Sequence, residues 1–392
     1  MSGQRQQTFP RDLLRGDVAP KKAFFEKYTI AHKIMKECKE TLLDAIMDAE
    51  PDGLIFLYGP TGVGKSTLRN HIVKIITEQM VQELSVDLER FAVLSQTLRV
   101  PNPPAYFNWI DNYRHLLYAA DEPLVEYKRL PAREEVPELT NAKLRSSRAT
   151  SAALREAYEN VLFHRRPVAV LLDEAQALTK APATRLLDQL DVIKSIVSRT
   201  KVPHVLFGTY SLLPIRDLDA QVSRRSIDIH FSRYAGTKED RKTFANIVRN
   251  LALAMPLEDA PDLDTHLDYL HEKSAGCVGI LKSWLQRAYC RALRDQAGTL
   301  TADHLEKTVL SEHKLMKLFR EIVDGEKDLT VRQSDYEAGV SELFPKERSS
   351  KTSGAGTSAP IGKKQQANAR PGDRNPTRDP IGTMEQRSAG VS

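Results

Sequence analysis

The sequence predicts an α/β fold: a five-stranded parallel sheet that carries a phosphate-binding loop, followed by a smaller helical domain. Three observations predict it. Five short strand-like runs alternate with helical patterns up to residue 236, and residues 237–323 then show helical spacing alone. One apolar run ends in an acidic pair, Asp173-Glu174. Another is followed by a glycine-rich loop with the sequence Gly59-Pro60-Thr61-Gly62-Val63-Gly64-Lys65-Ser66-Thr67.

The strand-like runs are short, apolar and bounded by turn residues, as expected for a buried parallel sheet. Helical spacing of apolar residues marks the segments between them, including a basic helix at 141–166. The predicted strands are 54–58, 91–94, 168–172, 204–209 and 227–231. The predicted helices of the second domain are 238–253, 262–274, 279–296 and 302–323.

These patterns divide the chain into a core with a region before it and two after it. Residues 1–22 are predicted to be a flexible basic N-terminal arm, and residues 23–236 the α/β domain with an insertion at about 98–166. Residues 237–325 are predicted to form a helical lid. Residues 326–392 are predicted to be a linker and a disordered basic tail, because the end of the chain is rich in Ser, Gly, Pro and Gln and has too few apolar residues to fold alone.

Composition describes a globular chain of more than one domain. The chain has 392 residues, of which 41% are hydrophobic and 28% charged. The cysteines Cys38, Cys277 and Cys290 are too few and too scattered for a disulfide framework or a zinc site, so we expect buried small apolar residues. No apolar run approaches the roughly 18 residues of a membrane span, and the N-terminus has no leader pattern. We therefore expect a cytoplasmic protein without membrane contact.

The net charge of +5 is concentrated in the tail. Residues 346–392 hold nine Lys or Arg and four Asp or Glu, and the basic and acidic residues of the remaining chain balance. Bulk charge therefore gives the body no general attraction for nucleic acid, and any such surface must be a local patch.

The glycine-rich loop matches the P-loop pattern, which needs a strand before it and a helix after it so that backbone N–H groups converge on phosphate. Both flanks are present here. Lys65 supplies a positive charge to the β- and γ-phosphates, and the Ser66 hydroxyl can ligate Mg²⁺. The sequence therefore predicts that residues 59–67 bind ATP with Mg²⁺.

The acidic pair at the end of the 168–172 run matches the Walker B pattern. Asp173 is predicted to hold Mg²⁺, directly or through water, and Glu174 to orient and polarise the attacking water. Together with the P-loop, the pair predicts an ATPase.

The order of these motifs resembles that of the AAA+ ATPases, which carry an AAA+ core and a helical lid. The resemblance implies that Thr209, after the fourth strand, is the sensor 1 residue, which contacts the γ-phosphate or the attacking water. It also implies that Arg224 or Arg225 is an arginine finger that reaches the nucleotide of a neighbouring subunit. We favour Arg224, and the choice stays open. A sensor 2 arginine is missing from the lid, where Lys282 is the nearest cation.

Within the AAA+ ATPases, the sequence resembles the TniB/TnsC-type transposition regulators, relatives of the phage Mu B protein. The resemblance covers roughly residues 25–325. It rests on LDEAQAL at 172–178, FGTY at 207–210, SRR at 223–225, MPL at 255–257 and HEKSAGCVGIL at 271–281.

This resemblance implies an ATP-bound homo-oligomer, a ring or a helical filament, that assembles on double-stranded DNA. It implies that the protein recruits and activates a transposase and works with a target-selection protein, and that ATP hydrolysis drives disassembly. Sequence-independent DNA binding would use Lys and Arg side chains on phosphates. The candidates lie in the basic helix, which could also be an ordinary solvated face: Lys143, Arg145, Arg148 and Arg155.

Three other readings share the P-loop. An AAA+ initiator or helicase loader would normally add a winged-helix DNA-binding domain, for which the sequence after Val323 gives no pattern. A P-loop small-molecule kinase would need neither the arginine pair nor a lid of this size. A scaffold that is switched by nucleotide without hydrolysis would not need Glu174.

Overall fold

The computed structural model describes residues 8–49, 53–100, 106–128, 150–181, 185–216 and 226–343. The predicted finger residues Arg224 and Arg225, the candidate DNA contacts Lys143, Arg145 and Arg148, and the tail at 346–392 lie outside the described residues. The chain divides into two compact units, Met1–Tyr336 and Glu337–Ser392. Of the second unit, the structure describes residues 337–343, which are helical.

The first unit contains the predicted five-stranded sheet. The strands are β1 (Leu54–Tyr58), β2 (Val93–Thr97), β3 (Ala169–Asp173), β4 (His204–Gly208) and β5 (Ser226–His230). All neighbouring strands pair in parallel, in the order β2-β3-β4-β1-β5. The prediction of a parallel five-stranded sheet is therefore confirmed.

This strand order places the predicted site residues at one edge of the sheet. Strand β1 lies between β4 and β5, and β4 lies between β1 and β3. Tyr58, at the end of β1, pairs with Gly208, at the end of β4. Because parallel strands end on the same side, the P-loop, Thr209 and Asp173 follow three adjacent strand ends.

The three central strands β1, β3 and β4 are buried at every position, which explains their continuous apolar sequences. Their side chains feed two hydrophobic clusters, one on each face of the sheet. The helices of this part of the chain are α1 (Asp12–Arg15), α2 (Val18–Lys27), α3 (Lys33–Met47), α4 (Lys65–Gln79), α5 (Val81–Val86), α6 (Trp109–Ala119), α7 (Ser151–Arg165), α8 (Leu186–Thr200) and α9 (Leu213–Arg216).

The helices after β5 pack around a hydrophobic cluster of their own. Phe25 of α2 belongs to this cluster, and its ring lies 5.3 Å from that of Tyr289. The N-terminal segment is thereby held against the helical region. These helices are α10 (Lys238–Leu253), α11 (Leu267–Ser274), α12 (Val278–Arg294), α13 (Ala302–Glu306) and α14 (Glu312–Leu343).

The last predicted helix, 302–323, is two helices in the structure. The Trp284 indole N–H donates to the Leu305 carbonyl, and Arg287 donates to the Thr308 carbonyl. The Thr308 N–H also donates to the Leu305 carbonyl, three residues back, so the chain leaves the α-helical pattern after Glu306. Helix α14 then continues to Leu343, so position 325, where the sequence placed the end of the lid, falls inside a helix.

The predicted helix at 141–166 is described from Ser151, where the Thr150 hydroxyl caps α7 by accepting from the Ala153 N–H. Cys38 and Cys277 are buried and Cys290 is half-buried, and all three are free thiols. Among the described residues, no helix combines the length and apolar character needed to cross a bilayer.

Candidate active site

The P-loop connects the end of β1 to the start of α4. Gly62 has φ +77° and Gly64 has φ +120°, conformations that residues with a Cβ rarely adopt. Because the loop turns tightly at these glycines, α4 begins directly at Lys65 and its N-terminus faces the loop. This is the arrangement that binds phosphate through backbone N–H groups.

The Lys65 ammonium is held at the loop by the backbone. Its Nζ donates to the Gly59 carbonyl and to the Pro60 carbonyl, each at 2.8 Å. Burial lowers the pKa of Lys65, and the carboxylates of Glu321 and Asp173 oppose that shift. The predicted phosphate cation is thus half-buried, held by two carbonyls and influenced by nearby carboxylates.

The Walker B aspartate is buried and paired. Asp173 is 4% exposed, and its Oδ2 lies 3.3 Å from Nη1 of Arg69. Its Oδ1 accepts from the Glu174 N–H at 2.9 Å. Arg69 stands four residues after Lys65 on α4, so helical spacing places both cations on the same face. The sequence prediction did not include Arg69.

The residues predicted to hold Mg²⁺ fit that cation by type. The Ser66 hydroxyl is exposed in the first turn of α4, and Asp173 offers a carboxylate at the neighbouring strand end. Oxygen ligands of this kind are what Mg²⁺ prefers. Within the described residues, no group of three His, Cys, Asp or Glu is arranged to hold a metal ion.

Glu174 adopts a left-handed backbone conformation, with φ +55°, directly after β3. This conformation is uncommon for a residue with a side chain, and such strain is concentrated at functional sites. The turn leaves the Glu174 side chain exposed, while Asp173 remains buried. Two adjacent carboxylates are thereby separated into a buried one and a solvent-accessible one.

Gln176 connects Glu174 to strand β4. Its Nε2 donates to Glu174 Oε2 at 2.5 Å, and its Oε1 accepts from the Thr209 N–H at 3.3 Å. The predicted catalytic carboxylate and the predicted sensor residue are therefore joined by one amide side chain. In the sequence, Gln176 stands out only as part of the stretch LDEAQAL at 172–178. Its position two residues after Glu174 gave no indication of this bridge.

The Thr209 side chain is used locally. Its Oγ1 lies 2.7 Å from the Ser211 Oγ and caps the turn that follows β4. The hydroxyl therefore has a partner within its own loop, and its predicted role as sensor 1 stays a prediction.

The N-terminus of α12 packs against the P-loop. The Ile280 N–H donates to the Gly62 carbonyl at 3.2 Å, and a Cβ on Gly279 would clash with the same carbonyl. No side chain larger than glycine therefore fits at 279. The Lys282 ammonium donates to the Phe25 carbonyl and lies 3.1 Å from the centre of the Phe25 ring. Lys282, the nearest lid cation by sequence, is thus engaged with α2.

The last helix also reaches the P-loop. Glu321 of α14 accepts hydrogen bonds from the backbone N–H and the hydroxyl of Thr61. Five residues later, Glu326 pairs with Arg233, which follows β5. Neither contact was predicted, since 321 and 61 are far apart in sequence.

Arg155, the described member of the candidate DNA contacts, has partners within the protein. Its Nε donates to Glu159 at 2.8 Å and its Nη2 to Ser195 of α8 at 2.7 Å. Glu159 is buried and also pairs with Arg199. The guanidinium therefore links α7 to α8 around a buried carboxylate, which gives Arg155 a structural role, and its predicted phosphate contact stays a prediction.

Comparison with known families agrees with this geometry. Residues 48–215, which contain the P-loop, the Asp173-Glu174 pair and Thr209, match the model of the AAA domain. The fold is the AAA+ P-loop fold. No curated protein matches the sequence.

Several solved structures resemble the chain. The ORC2 protein of Aeropyrum pernix, in ADPNP–ADP complexes, is 16% identical over 74% of this chain and 73% of its own, with a TM-score of 0.47. The ORC1 protein of Aeropyrum pernix in complex with DNA is 18% identical over 76% and 68%, with a TM-score of 0.47. Cdc6p of Pyrobaculum aerophilum is 12% identical over 75% and 73%, with a TM-score of 0.49.

Proposed function

We propose that this chain is a cytoplasmic ATPase that binds and hydrolyses ATP with Mg²⁺. One observation carries the proposal: the P-loop lysine, the Walker B pair and Thr209 lie at or just after the ends of three adjacent strands of one parallel sheet. The loop also fits an anionic group, because its Thr61 N–H already donates to the negatively charged carboxylate of Glu321. Phosphate needs the same kind of donor.

The buried and the exposed residues of the site have different proposed roles in ATP binding and hydrolysis. The backbone N–H groups of 59–67 and the Lys65 ammonium would hold the phosphates, and Ser66 and Asp173 would hold Mg²⁺, which supplies charge neutralisation when bound. Glu174, exposed and directed by Gln176, can accept a hydrogen bond from water and draw away its proton. Thr209 lies on the intervening strand end, where a hydroxyl can contact that water or the γ-phosphate.

We further propose a homo-oligomer in which the site is shared between subunits. Arg224 or Arg225, just before β5, would reach the nucleotide of the next subunit and stabilise the charge of the transition state. Residues 237–325 would act as the lid. In the structure the predicted arm at 1–22 contains α1 and the start of α2, and residues 326–343 of the predicted linker and tail continue α14. The order of motifs supports this arrangement.

The sequence resemblance supports a role as a TniB/TnsC-type transposition regulator on double-stranded DNA, with a transposase and a target-selection protein as partners. DNA contact would come from Lys143, Arg145 and Arg148, while Arg155 anchors α7. ATP would favour assembly on DNA, and hydrolysis would favour release.

The competing AAA+ function is that of an initiator or helicase loader, which would use the same nucleotide site. The two functions differ in what the protein does on DNA. Electron microscopy with ATP, with and without duplex DNA, should show DNA-dependent rings or filaments with no sequence preference. Binding restricted to one specific sequence would favour the initiator. A monomer that phosphorylates a small molecule would favour the kinase.

Two inactive variants test the shared site. Lys65→Ala should abolish ATP binding, whereas Glu174→Gln and Arg224→Ala should each bind ATP and fail to hydrolyse it. Mixing the last two should restore some hydrolysis, because one interface then combines an intact Glu174 with an intact arginine. The same mixture with Arg225→Ala identifies which arginine is the finger. No recovered activity with either arginine variant, at any ratio, would contradict the shared site.

A further inference from the structure

Helix α14 lies against the candidate nucleotide site at three successive positions. Glu321 contacts the P-loop, Gly325 packs on the ring of Tyr210, and Glu326 pairs with Arg233. These contacts come from a helix that begins inside the predicted lid and continues beyond it. They bring two carboxylates to a site whose expected ligand is itself an anion.

The Glu321 carboxylate makes three short contacts with the P-loop. Oε1 accepts from the Thr61 backbone N–H at 3.0 Å and from the Thr61 Oγ1 at 2.9 Å, and Oε2 lies 2.8 Å from the same Oγ1. Glu321 is also the largest charged influence that raises the pKa of Lys65 against the lowering effect of burial. A carboxylate therefore accepts from a backbone donor of the phosphate loop and acts electrostatically on its lysine.

The Glu326 carboxylate forms a bidentate ion pair with Arg233. Arg233 Nε donates to Oε1 at 2.8 Å, and Nη2 donates to Oε2 at 3.0 Å. The Arg233 side chain is 22% exposed, so the guanidinium is largely enclosed. Paired donors of this geometry suit a phosphate as well as a carboxylate.

All four of these charged groups influence the buried thiol of Cys277. Burial raises the pKa of the Cys277 thiol to about 12; Arg233 and Lys65 oppose that rise, and Glu321 and Glu326 add to it. Both cations and both carboxylates therefore lie within electrostatic range of one buried atom. Cys277 itself is at the N-cap of α12, the helix that packs on Gly62.

The apolar support for α14 at this place is small. Leu318 and Ile322 pack on Cys277 in a cluster of three buried residues, far smaller than the other clusters among the described residues, and Leu329 packs against the large cluster of the sheet. Gly325 is buried against Tyr210, and a Cβ at 325 would overlap the Tyr210 ring. The polar contacts of Glu321 and Glu326 therefore carry a large share of the attachment.

We propose that Glu321 and Glu326 hold the places of nucleotide phosphate oxygens at the P-loop and at Arg233, so that docking of α14 and binding of nucleoside triphosphate compete. This inference rests on the proposed ATP site. It assigns Arg233 as a phosphate-binding cation contributed by the same subunit. In this proposal α14 is an intramolecular strap. The strap is docked at the site through Glu321 and Glu326, and triphosphate displaces it.

Arg233 would supply a phosphate-binding cation at a site whose lid lacks a sensor 2 arginine. Position 279, at the start of α12, admits no side chain because of the Gly62 carbonyl, and the Lys282 ammonium is taken by Phe25. Arg233 follows β5, and the N–H of the next residue, Tyr234, donates to the Gly276 carbonyl at 3.1 Å, two residues before α12 begins. The enclosed guanidinium is paired with one carboxylate. If a phosphate replaces that carboxylate, the guanidinium still has an anionic partner, so its charge stays compensated.

Competition predicts that weakening the strap tightens nucleotide binding. If α14 is docked in most molecules, only the undocked molecules can bind triphosphate. The apparent affinity for triphosphate is then the intrinsic affinity multiplied by the undocked fraction. Glu321→Gln and Glu326→Gln should each tighten the binding of a non-hydrolysable ATP analogue, and the double variant should do so by roughly tenfold or more. The matched control is Asp324→Asn, which removes the same charge from an exposed position of α14 and should leave the affinity unchanged.

Gly325→Ala tests the strap without a change of charge. The added methyl group cannot fit beside Tyr210, whereas alanine favours the helix itself over glycine. We expect this variant to bind the analogue more tightly, like the double Gln variant. Arg233→Ala should weaken analogue binding in the Glu326→Gln background at least tenfold, while Lys282→Met in that background should not.

Hydrogen exchange supplies the second measurement. In the wild-type protein the analogue should speed amide exchange in α14 near 318–326 and slow it in the P-loop. Tighter binding in the Gln variants and in Gly325→Ala, with faster exchange in α14, supports the strap. If the wild type binds the analogue and all variants bind it equally, or if exchange in α14 does not change, the strap is wrong while the ATP site stands. If neither wild type nor variants bind the analogue, the proposed ATP site fails and the strap with it.

Discussion

The Gln176 side-chain amide lies 2.5 Å from the carboxylate of Glu174, measured between Nε2 and Oε2. The other end of the same amide accepts the backbone N–H of Thr209. Since Thr209 follows β4, the position of Glu174 is set by the neighbouring strand as well as by its own. A carboxylate that must polarise water is thereby restrained in its orientation while it remains exposed.

Gln176→Ala should lower the kcat of ATP hydrolysis roughly tenfold to a hundredfold, because a hydrogen bond to a charged group contributes about 1.5–3 kcal/mol. ATP affinity should stay the same, since Gln176 touches none of the P-loop residues in the contacts described. The check is steady-state kinetics together with direct ATP titration. Gln82→Ala, at an exposed position of α5, is the control. Unchanged kcat in Gln176→Ala would remove the positioning role.

Arg69→Met should destabilise the nucleotide-free protein by about 1–3 kcal/mol, because the buried Asp173 loses its cationic partner. Mg²⁺ with ATP should restore more stability to this variant than to the wild type, since the cation then compensates Asp173. Thermal unfolding with and without Mg²⁺ and ATP measures both effects. Lys74→Met, which removes an exposed ion pair on the same helix, should change the free energy of unfolding little. An equal ligand effect in wild type and Arg69→Met would separate Asp173 from Mg²⁺ binding.

Acid should destabilise the protein below about pH 6.5. Burial lowers the pKa of His204 to about 4, and a hydrogen bond to the Val202 carbonyl opposes the shift. The unfolded chain binds a proton near pH 6.5 and the folded chain only near 4, so stability is complete above 6.5 and falls through that window. His204 alone accounts for a change on the order of 3 kcal/mol. Burial lowers the pKa of His32 to about 4 as well, and adds to the trend.

Denaturant titrations between pH 4 and 7 check this expectation. His204→Gln keeps a hydrogen-bonding side chain without a titrating group, so its stability should depend less on pH over this window than that of the wild type. A variant with the wild-type pH dependence would exclude His204 as a source of it.

Arg155→Ala should lower stability by about 1–3 kcal/mol, because the buried Glu159 would retain only Arg199 as its cation. Lys36→Ala, which breaks an exposed pair on α3, is the control and should cost little. Thermal unfolding provides the measurement. If the variant is as stable as the wild type, Arg155 has no structural role and is again a candidate for DNA contact.

Duplex DNA binding should respond to the other three candidates. Replacing Lys143, Arg145 and Arg148 with Ala should weaken binding about equally for all sequences and reduce the salt slope by roughly three phosphate contacts. Arg155→Ala should leave the slope unchanged. If the triple replacement does not change the slope, the DNA-binding surface lies elsewhere on the protein.

The sheet could be predicted because its signals are local. The runs at 54–58, 168–172 and 204–209 are continuous apolar segments, and each is buried in the structure. Strand β2 was placed two residues early, since Phe91 is apolar but packs under Arg165 outside the strand. Helix α14 was ended too early because charged residues break its apolar spacing after Ile322, whereas Glu326 is anchored by an ion pair.

The site was predicted only as far as its motifs extend. Lys65, Asp173 and Glu174 lie in recognisable patterns that fix their neighbours in sequence. Arg69 and Gln176 act through contacts that appear once strands and helices are assembled. The pairing of Glu321 with Thr61 links positions 260 apart in sequence, and no local pattern encodes it.

The central claim is that Glu174 supplies the carboxylate for hydrolysis at a site that binds ATP without it. The most direct measurement is the turnover of ATP by Glu174→Gln beside a titration of ATP binding to the same protein. The expected result is wild-type ATP affinity with turnover reduced at least a hundredfold, since the amide cannot take a proton from water. Wild-type turnover by Glu174→Gln would contradict the claim.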